Sequence, residues 1–263
     1  MKNLVLIISV ILLTSMCSGC KAVADSNNIE LSSDNLIQIN LPIIGSTAAV
    51  VQKQLLEKDS KLKKGKPIYL VLNTPGGSIQ DGLMIIETAK SLKRPVHTIS
   101  IFSASMGFVI SQYLDDRYAL ESAIIMTHKA RVGGVGGDVP GSFINMANYL
   151  LNYVNSINGR IAKRSGKELE DYNRLIESDF WMGTEAALDH NFLDKQVTIS
   201  CDSSLRDYAE PQEVDLGFFA VTVQFHKCPL ITQPQLVKGE SRAFELIINN
   251  KKEFINRFPH LFQ

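Results

Sequence analysis

Cysteine is scarce in this chain of 263 residues, with only four present. Outside the first twenty residues there is no Cys-x-x-Cys, and neither Cys201 nor Cys228 stands at metal-ligand spacing from a histidine. That leaves zinc without a ligand set, and no resident metal is implied. An excess of one charge is also missing: 27 Lys and Arg balance 27 Asp and Glu. With no basic block, the electrostatic footprint of nucleic-acid binding is absent. The longest apolar run near the start, Leu4 to Leu13, is shorter than the ~18 residues that a membrane-spanning helix needs. The Gly-rich segment Asn73-Thr74-Pro75-Gly76-Gly77-Ser78 lacks the Lys-Ser/Thr of a phosphate-binding loop and the full dinucleotide fingerprint, so no nucleotide cofactor is implied. No internal repeat and no long linker break the chain. What remains is an ordinary globular balance, 45% hydrophobic and 21% charged, enough for one domain with appendages.

The N-terminus has the physics of an export signal. Lys2 is a positive n-region, Leu4 to Leu13 an apolar h-region, and Ser18-Gly19 supplies small residues before Cys20. Residues 1–19 are therefore expected to be a signal peptide. Small residues ending at a cysteine resemble the lipobox of bacterial lipoproteins, which implies cleavage before Cys20 and a lipid on its thiol; plain cleavage with Cys20 as a bystander is the alternative. Residues 20–34 are polar with little periodicity and read as a tether between membrane and domain. In an exported protein Cys201 and Cys228 can form a disulfide or be two separately buried thiols.

The mature chain alternates strands and helices. Leu36 to Ile44 reads as a strand, followed by a helix carrying Val50, Val51, Leu55 and Leu56. Ile68 to Leu72 is an apolar run typical of a strand covered on both faces, and it leads through the glycine turn into a helix with Leu83, Ile86, Ala89 and Leu92 on one side. Val96 to Ile101 completes a βαβ unit. A helix follows through Phe108, Val109, Ile110 and Tyr113; then come two short strands, Arg117 to Leu120 and Ala123 to Thr127. A long helix is expected from Ser142 to Ser165 with Gly166 past its end. Phe192 to Ile199 and Leu216 to Phe225 read as strands, and Ser241 to Phe258 as an amphipathic helix. Residues 201–263 are expected to pack as an extension on a domain spanning 35–200.

Between Val96–Ile101 and the next helix stands Ser103-Ala104-Ser105-Met106-Gly107, a hydroxyl among small residues at a strand-to-helix turn. There the unpaired N–H groups of a helix start favour developing negative charge. Acyl transfer to a serine needs a base, an orienter for that base and oxyanion donors. Ser105, His128 and Asp179 can fill the first three roles, and the backbone N–H groups of Gly77 and Met106 the last. Periodicity alone does not select His128 over His97, His190, His226 or His260, nor Asp179 over other acids.

The ordered set Asn73 to Ser78, Ser103 to Gly107, Met126-Thr127-His128 and Glu177-Ser178-Asp179-Phe180 resembles the proteolytic subunits of the Clp protease family, with the likeness running over about Leu36 to Ile199. The resemblance implies an α/β architecture of the ClpP/crotonase type, built from repeated β-β-α spiral units, here with a C-terminal β plus α appendage. It makes Ser105 the nucleophile, His128 the general base and Asp179 its orienter, with Gly77 and Met106 donating to the oxyanion. It also implies that Gly76 and the loop residues Gly133, Gly134 and Val135 pair with an extended peptide, and that the helix from Ser142 serves homo-oligomer stacking. Lys129 stands where the family usually has Gln, and the tail beyond Cys201 lies outside the family pattern.

Together these readings give an expected function: an envelope serine endopeptidase facing the periplasm, without cofactor, cleaving peptides or unfolded proteins. A compartment without ATP excludes an ATP-driven unfoldase as partner. The alternative from another class is a non-catalytic module that keeps the fold and binds peptides or partners. Crotonase-like acyl-CoA chemistry, which uses a comparable oxyanion hole, fits neither the compartment nor the Ser/His/Asp set.

Overall fold

A computed structural model of the protein describes residues 27–61, 65–131, 138, 140–215, 220–239, 241 and 244–245. The chain enters the fold at β1 (Asn28–Leu31), passes into β2 (Leu36–Ile39) and then α1 (Gly45–Lys61). β3 (Ile68–Thr74), α2 (Ile79–Ser91), β4 (Val96–Ala104), α3 (Met106–Tyr113) and β5 (Arg117–Thr127) alternate through the centre. The long α4 (Gly141–Arg164) and short α5 (Leu169–Leu175) lead to β6 (Phe180–Met182) and α6 (Thr184–Asp189). β7 (Lys195–Gln196) and β8 (Thr198–Cys201) follow, and β9 (Gln212–Asp215), β10 (Ala220–Gln224) and β11 (Gln235–Lys238) come last.

The central sheet has the order β2-β3-β4-β5-β6. Its first four strands are mutually parallel, and β6 closes it antiparallel to β5. Along β3 successive side chains point to opposite faces. Leu70 and Leu72 join Ile37, Ile39, Leu55, Ile85 and Ile86 under α1 and α2, while Val71 joins Leu31, Leu36, Ile99, Val197 and Leu205 on the other face. That double covering is why the run is apolar throughout. A further cluster under α3, α4, α5 and α6 holds Phe108, Ile125, Ile157, Ile161, Tyr172 and Phe192.

Register shifts divide the long strands. β4 partners change between Ser100 and Phe102, whose β5 counterparts are Ala119 and Ile124. The two short strands expected at Arg117 to Leu120 and Ala123 to Thr127 are thus the two halves of one strand. The first half pairs with β7 and the second with β6. Along β4 and β5 the chain thus reads strand, offset, strand, which is how the two strands of a β-β-α unit look when they run together.

Three other expectations change. Folding begins before the end of the stretch 20–34: β1 pairs in parallel with β8, and Leu31 is fully buried. The first expected strand stops at Ile39; past Pro42 only an isolated bridge joins Ile43 to Gly77. Phe192 to Ile199 is not one strand either, because Phe192 and Leu193 are buried in the turn after α6 and only then do β7 and β8 form. Of the helix expected from Ser241 to Phe258, only Ser241, Phe244 and Glu245 belong to the described residues.

β9, β10 and β11 form an antiparallel sheet of their own. Val214, Val221, Val223 and Phe225 from this sheet and its margin bury against Leu41 of the body. Gln38 donates to the Lys227 carbonyl, and a disulfide joins Cys201 at the end of β8 to Cys228. Among the described residues no helix is long and apolar enough to cross a membrane.

Candidate active site

Serine is a favoured helix N-cap residue, because its hydroxyl ordinarily accepts from a backbone N–H of the first turn. Ser78, at the start of α2, does so from Asp81. Ser105, at the start of α3, makes no side-chain cap; its Oγ instead lies 2.7 Å from His128 Nε2. The backbone of Ser105 is held at φ 53° and ψ −116°, a sparsely populated conformation for a non-glycine residue that costs on the order of 1–3 kcal/mol. Its N–H is tied to the Met126 carbonyl of β5, 2.9 Å away, which holds the turn against the strand that carries His128.

The glycine turn lies directly against this serine. Gly76 has φ +92°, and a Cβ there would come within 2.7 Å of Ser105 Cβ and of the Met106 nitrogen. Only glycine permits that approach. Two backbone bonds, Ile43 N–H to the Gly76 carbonyl and Ser78 N–H to the Ile43 carbonyl, both 2.8 Å, lock the turn to the segment after Pro42. Thr74 Oγ1 donates to the Leu41 carbonyl and accepts from Gly76 N–H, pinning it from below. Met106 buries its side chain against Gly82 of α2. As the first residue of a helix it has no intrahelical acceptor for its N–H, so what it can offer at the serine is backbone alone.

His128 follows the last residue of β5. Thr127, just before it, exchanges a hydrogen bond of 2.9 Å with the Tyr172 hydroxyl of α5, which fixes the strand end. With Nε2 placed to take the Ser105 proton, the proton on the ring belongs on Nδ1. That atom is buried and has no hydrogen-bond partner. Asp179 Oδ1 stands 3.8 Å away, beyond hydrogen-bonding distance. The Asp179 carboxylate is engaged elsewhere: Arg131 donates to it at 3.1 Å and 3.4 Å. Burial holds the His128 pKa below its ordinary value; Asp179 opposes that shift and Arg131 adds to it.

The other histidines have different neighbours. His97 accepts from the Asp116 N–H, His190 stacks on Phe192, and His226 accepts from the Cys228 N–H. His260 lies outside the described residues. Lys129 pairs with Glu177 at 3.8 Å, more than half exposed, and takes no part at Ser105. Beside Ser105 and His128 opens a cavity of about 50 Å³, walled by Ile79, Val109, Val154, Ile157 and Tyr172. A separate groove of about 960 Å³ between α1 and the C-terminal extension is far more polar and is lined by neither Ser105 nor His128.

The sequence that builds this site has counterparts among known proteins. The model of the family described as Clp protease matches residues 21–199, more than half of the chain. The chain belongs to the Clp protease family. It is 33% identical over 168 residues to the ATP-dependent Clp protease proteolytic subunit of Streptococcus sanguinis (strain SK36), covering 63% of this chain and 85% of that protein. It is 35% identical over the same shares to the corresponding subunit of Streptococcus pneumoniae (strain 70585). Membership of the Clp protease family supports a peptidase of the serine class.

For a Clp protease family chain, the structure brings Ser105, His128, Met106 and Gly76 together and leaves Asp179 short of His128. Gly133, Gly134 and Val135, expected to pair with substrate, and Cys20 lie outside the described residues. Arg131 is the residue that sequence reasoning passed over. Its signal was there: it is a cation three positions past the base candidate, at the edge of the Gly-rich segment. The apolar cavity wall was also missed, because Ile79, Val109, Val154 and Ile157 lie on three separate helices and no single period brings them together.

Proposed function

We propose that this chain is an ATP-independent serine endopeptidase of the bacterial cell envelope. It attacks a peptide carbonyl with Ser105 Oγ as His128 Nε2 takes the proton, and the C–N bond then breaks as His128 gives that proton to the departing amine. The acyl-enzyme is then released by water, with His128 as the general base again. The 2.7 Å contact between Ser105 and His128, made by a serine at a helix start that forgoes its cap, carries the reading. Backbone N–H groups of Met106 and Gly77 receive the oxyanion. The walls of the 50 Å³ cavity favour a small or medium apolar side chain on the acyl side of the cleaved bond.

Export is supported by the signal-like first residues and by the Cys201–Cys228 disulfide, a bond that persists in oxidising compartments. In that setting Cys20 carries a lipid, the protein faces the periplasm, and peptides or already unfolded chains are the substrates. Assembly with further copies is supported by α4, where Phe143, Ile144, Met146, Tyr149 and Leu151 are all exposed, and by the relatives' naming as subunits. A second reading, a peptide-binding module without turnover, is favoured by one observation: the 3.8 Å gap between His128 and Asp179.

Reaction with a fluorophosphonate probe and hydrolysis of unfolded casein without ATP separate the two. The peptidase reading expects both in the wild type and neither in Ser105→Ala. No reaction in either protein across the pH range supports the binding module. The mass of the mature N-terminus tests export: a chain starting at a lipid-modified Cys20 is expected, and an intact Met1 overturns it.

A further inference from the structure

We propose that Arg131 is a positioning residue that sets how far Asp179 serves His128, because its guanidinium and the imidazole compete for the same carboxylate. The inference rests on the serine peptidase reading. One carboxylate lies between two donors. Arg131 holds both of its oxygens at 3.1 Å and 3.4 Å, while the buried Nδ1 of His128, 3.8 Å from Oδ1, has no acceptor. Closing the imidazole contact to an ordinary length requires Asp179 to move by about 1 Å. That is a small side-chain rotation, and the guanidinium opposes it.

The two competitors differ in what they lose. Arg131 is largely exposed, with 72% of its side chain open to solvent. An exposed ion pair of this kind is worth about 0–1 kcal/mol, since water and salt replace it readily. His128 Nδ1 is closed off from water, so an unmade bond there is costly and a made one correspondingly effective. The present arrangement therefore satisfies the group that needs it less. Peptide bound across the end of β5 can draw Arg131 away at little cost and free Asp179 to turn to His128. Arg131 also acts directly: its charge opposes the imidazolium that forms as Ser105 is acylated.

Few other groups bear on His128. Ser105 faces it from the start of α3 and Asp179 from just before β6. α5 contributes Tyr172, whose hydroxyl is engaged with Thr127. α4 contributes Val154, Ile157 and Asn158, none of them charged. The Lys129–Glu177 pair stands outside on the surface. The charge balance at the imidazole is accordingly set by Asp179 and Arg131.

The experiment measures fluorophosphonate inactivation as a limiting rate and a half-saturating concentration, from roughly pH 5 to 9, where a histidine titrates. The full chain is compared with Arg131→Gln, Arg131→Lys, Ser105→Ala and Arg131→Gln/Ser105→Ala. Arg131→Gln is expected to raise the limiting rate about tenfold, the effect of one pK unit of differential stabilisation, with the half-saturating concentration unchanged. Its acid limb is expected to move to higher pH, since removing the cation and closing the Asp179 contact both favour imidazolium. Arg131→Lys, which keeps the charge, is expected to stay nearer the wild type. A wild type that does not react beside an Arg131→Gln that reacts only through Ser105 equally supports the role. Ser105-dependent reaction with an Arg131→Gln rate that is unchanged or lower, and an unmoved acid limb, overturns it while leaving the peptidase reading intact. Reaction that survives Ser105→Ala, or none in any variant, overturns the peptidase reading and the inference with it.

Discussion

Two Arg–Asp pairs sit at opposite ends of β5, and they do different things. At the start of the strand Arg117 is almost wholly buried, with its side chain 3% exposed. It reaches Asp194 through Nε at 3.0 Å and Nη2 at 2.6 Å, while Nη1 donates to Gln112 and to the Asn191 carbonyl. Past the other end, Arg131 holds Asp179 from the surface. In the first pair the guanidinium is out of water and each of its donors has an acceptor, although Asp194 itself is 36% exposed, and the pair fixes where β5 begins. The second is screened by water and takes a carboxylate from a buried imidazole that lacks one. Burial, more than the identity of the partners, decides whether such a pair belongs to the fold or to the chemistry.

This contrast is open to test from its largest effect downward. Removing His128, the proposed base at the chemical end, is expected to lower Ser105 acylation by about 10³-fold, within the range for general-base catalysis, with the fold intact by circular dichroism. Arg117→Ala removes the buried donor shared by Gln112, the Asn191 carbonyl and Asp194 and is expected to cost about 3 kcal/mol of stability, read as a denaturant midpoint shift. A loss below about 1 kcal/mol would place Arg117 in the same class as Arg131. Reducing the Cys201–Cys228 bond, which closes a loop of sequence separation 27, is expected to cost about 3 kcal/mol. Because the bond ties the extension to the edge of the body, acylation of Ser105 is expected to survive reduction. Arg131→Gln is expected to change stability by no more than about 0.5 kcal/mol, although it alters rate. The acid limb of wild-type acylation is expected below the ordinary histidine value of about 6.5. Burial and Arg131 both disfavour the imidazolium, so the neutral base persists to lower pH.

The same contrast explains what the sequence made legible. Ser105 stands at the end of a long apolar strand, where pattern and punctuation are strong, whereas His128 is selected among the histidines by the family resemblance and not by periodicity; the structure places the two in contact. α4 runs from Gly141 to Arg164, one residue from the expected bounds, because its apolar spacing is regular and Gly166 takes the positive φ expected past a helix end. β1 was hidden for the opposite reason. Asn28 to Leu31 is four residues long, half polar, and is held by β8, about 170 residues away along the chain. No local period announces a strand whose partner is that distant. The division of β5 depends on an offset against β4, again a pairing property rather than a composition. Asp179 was legible as a carboxylate before an aromatic pair, but its distance from His128 was not. That distance depends on Arg131, whose competition with a ring nitrogen exists only once both have been folded onto one carboxylate.

The most direct test of the central claim is where a fluorophosphonate adduct forms. After reaction of the full chain at neutral pH and proteolytic digestion, mass spectrometry is expected to find the phosphonyl group on Ser105 alone, with no adduct in His128→Ala under the same exposure. An adduct on Ser103 or any other hydroxyl, or one on Ser105 that forms equally fast without His128, would contradict the account.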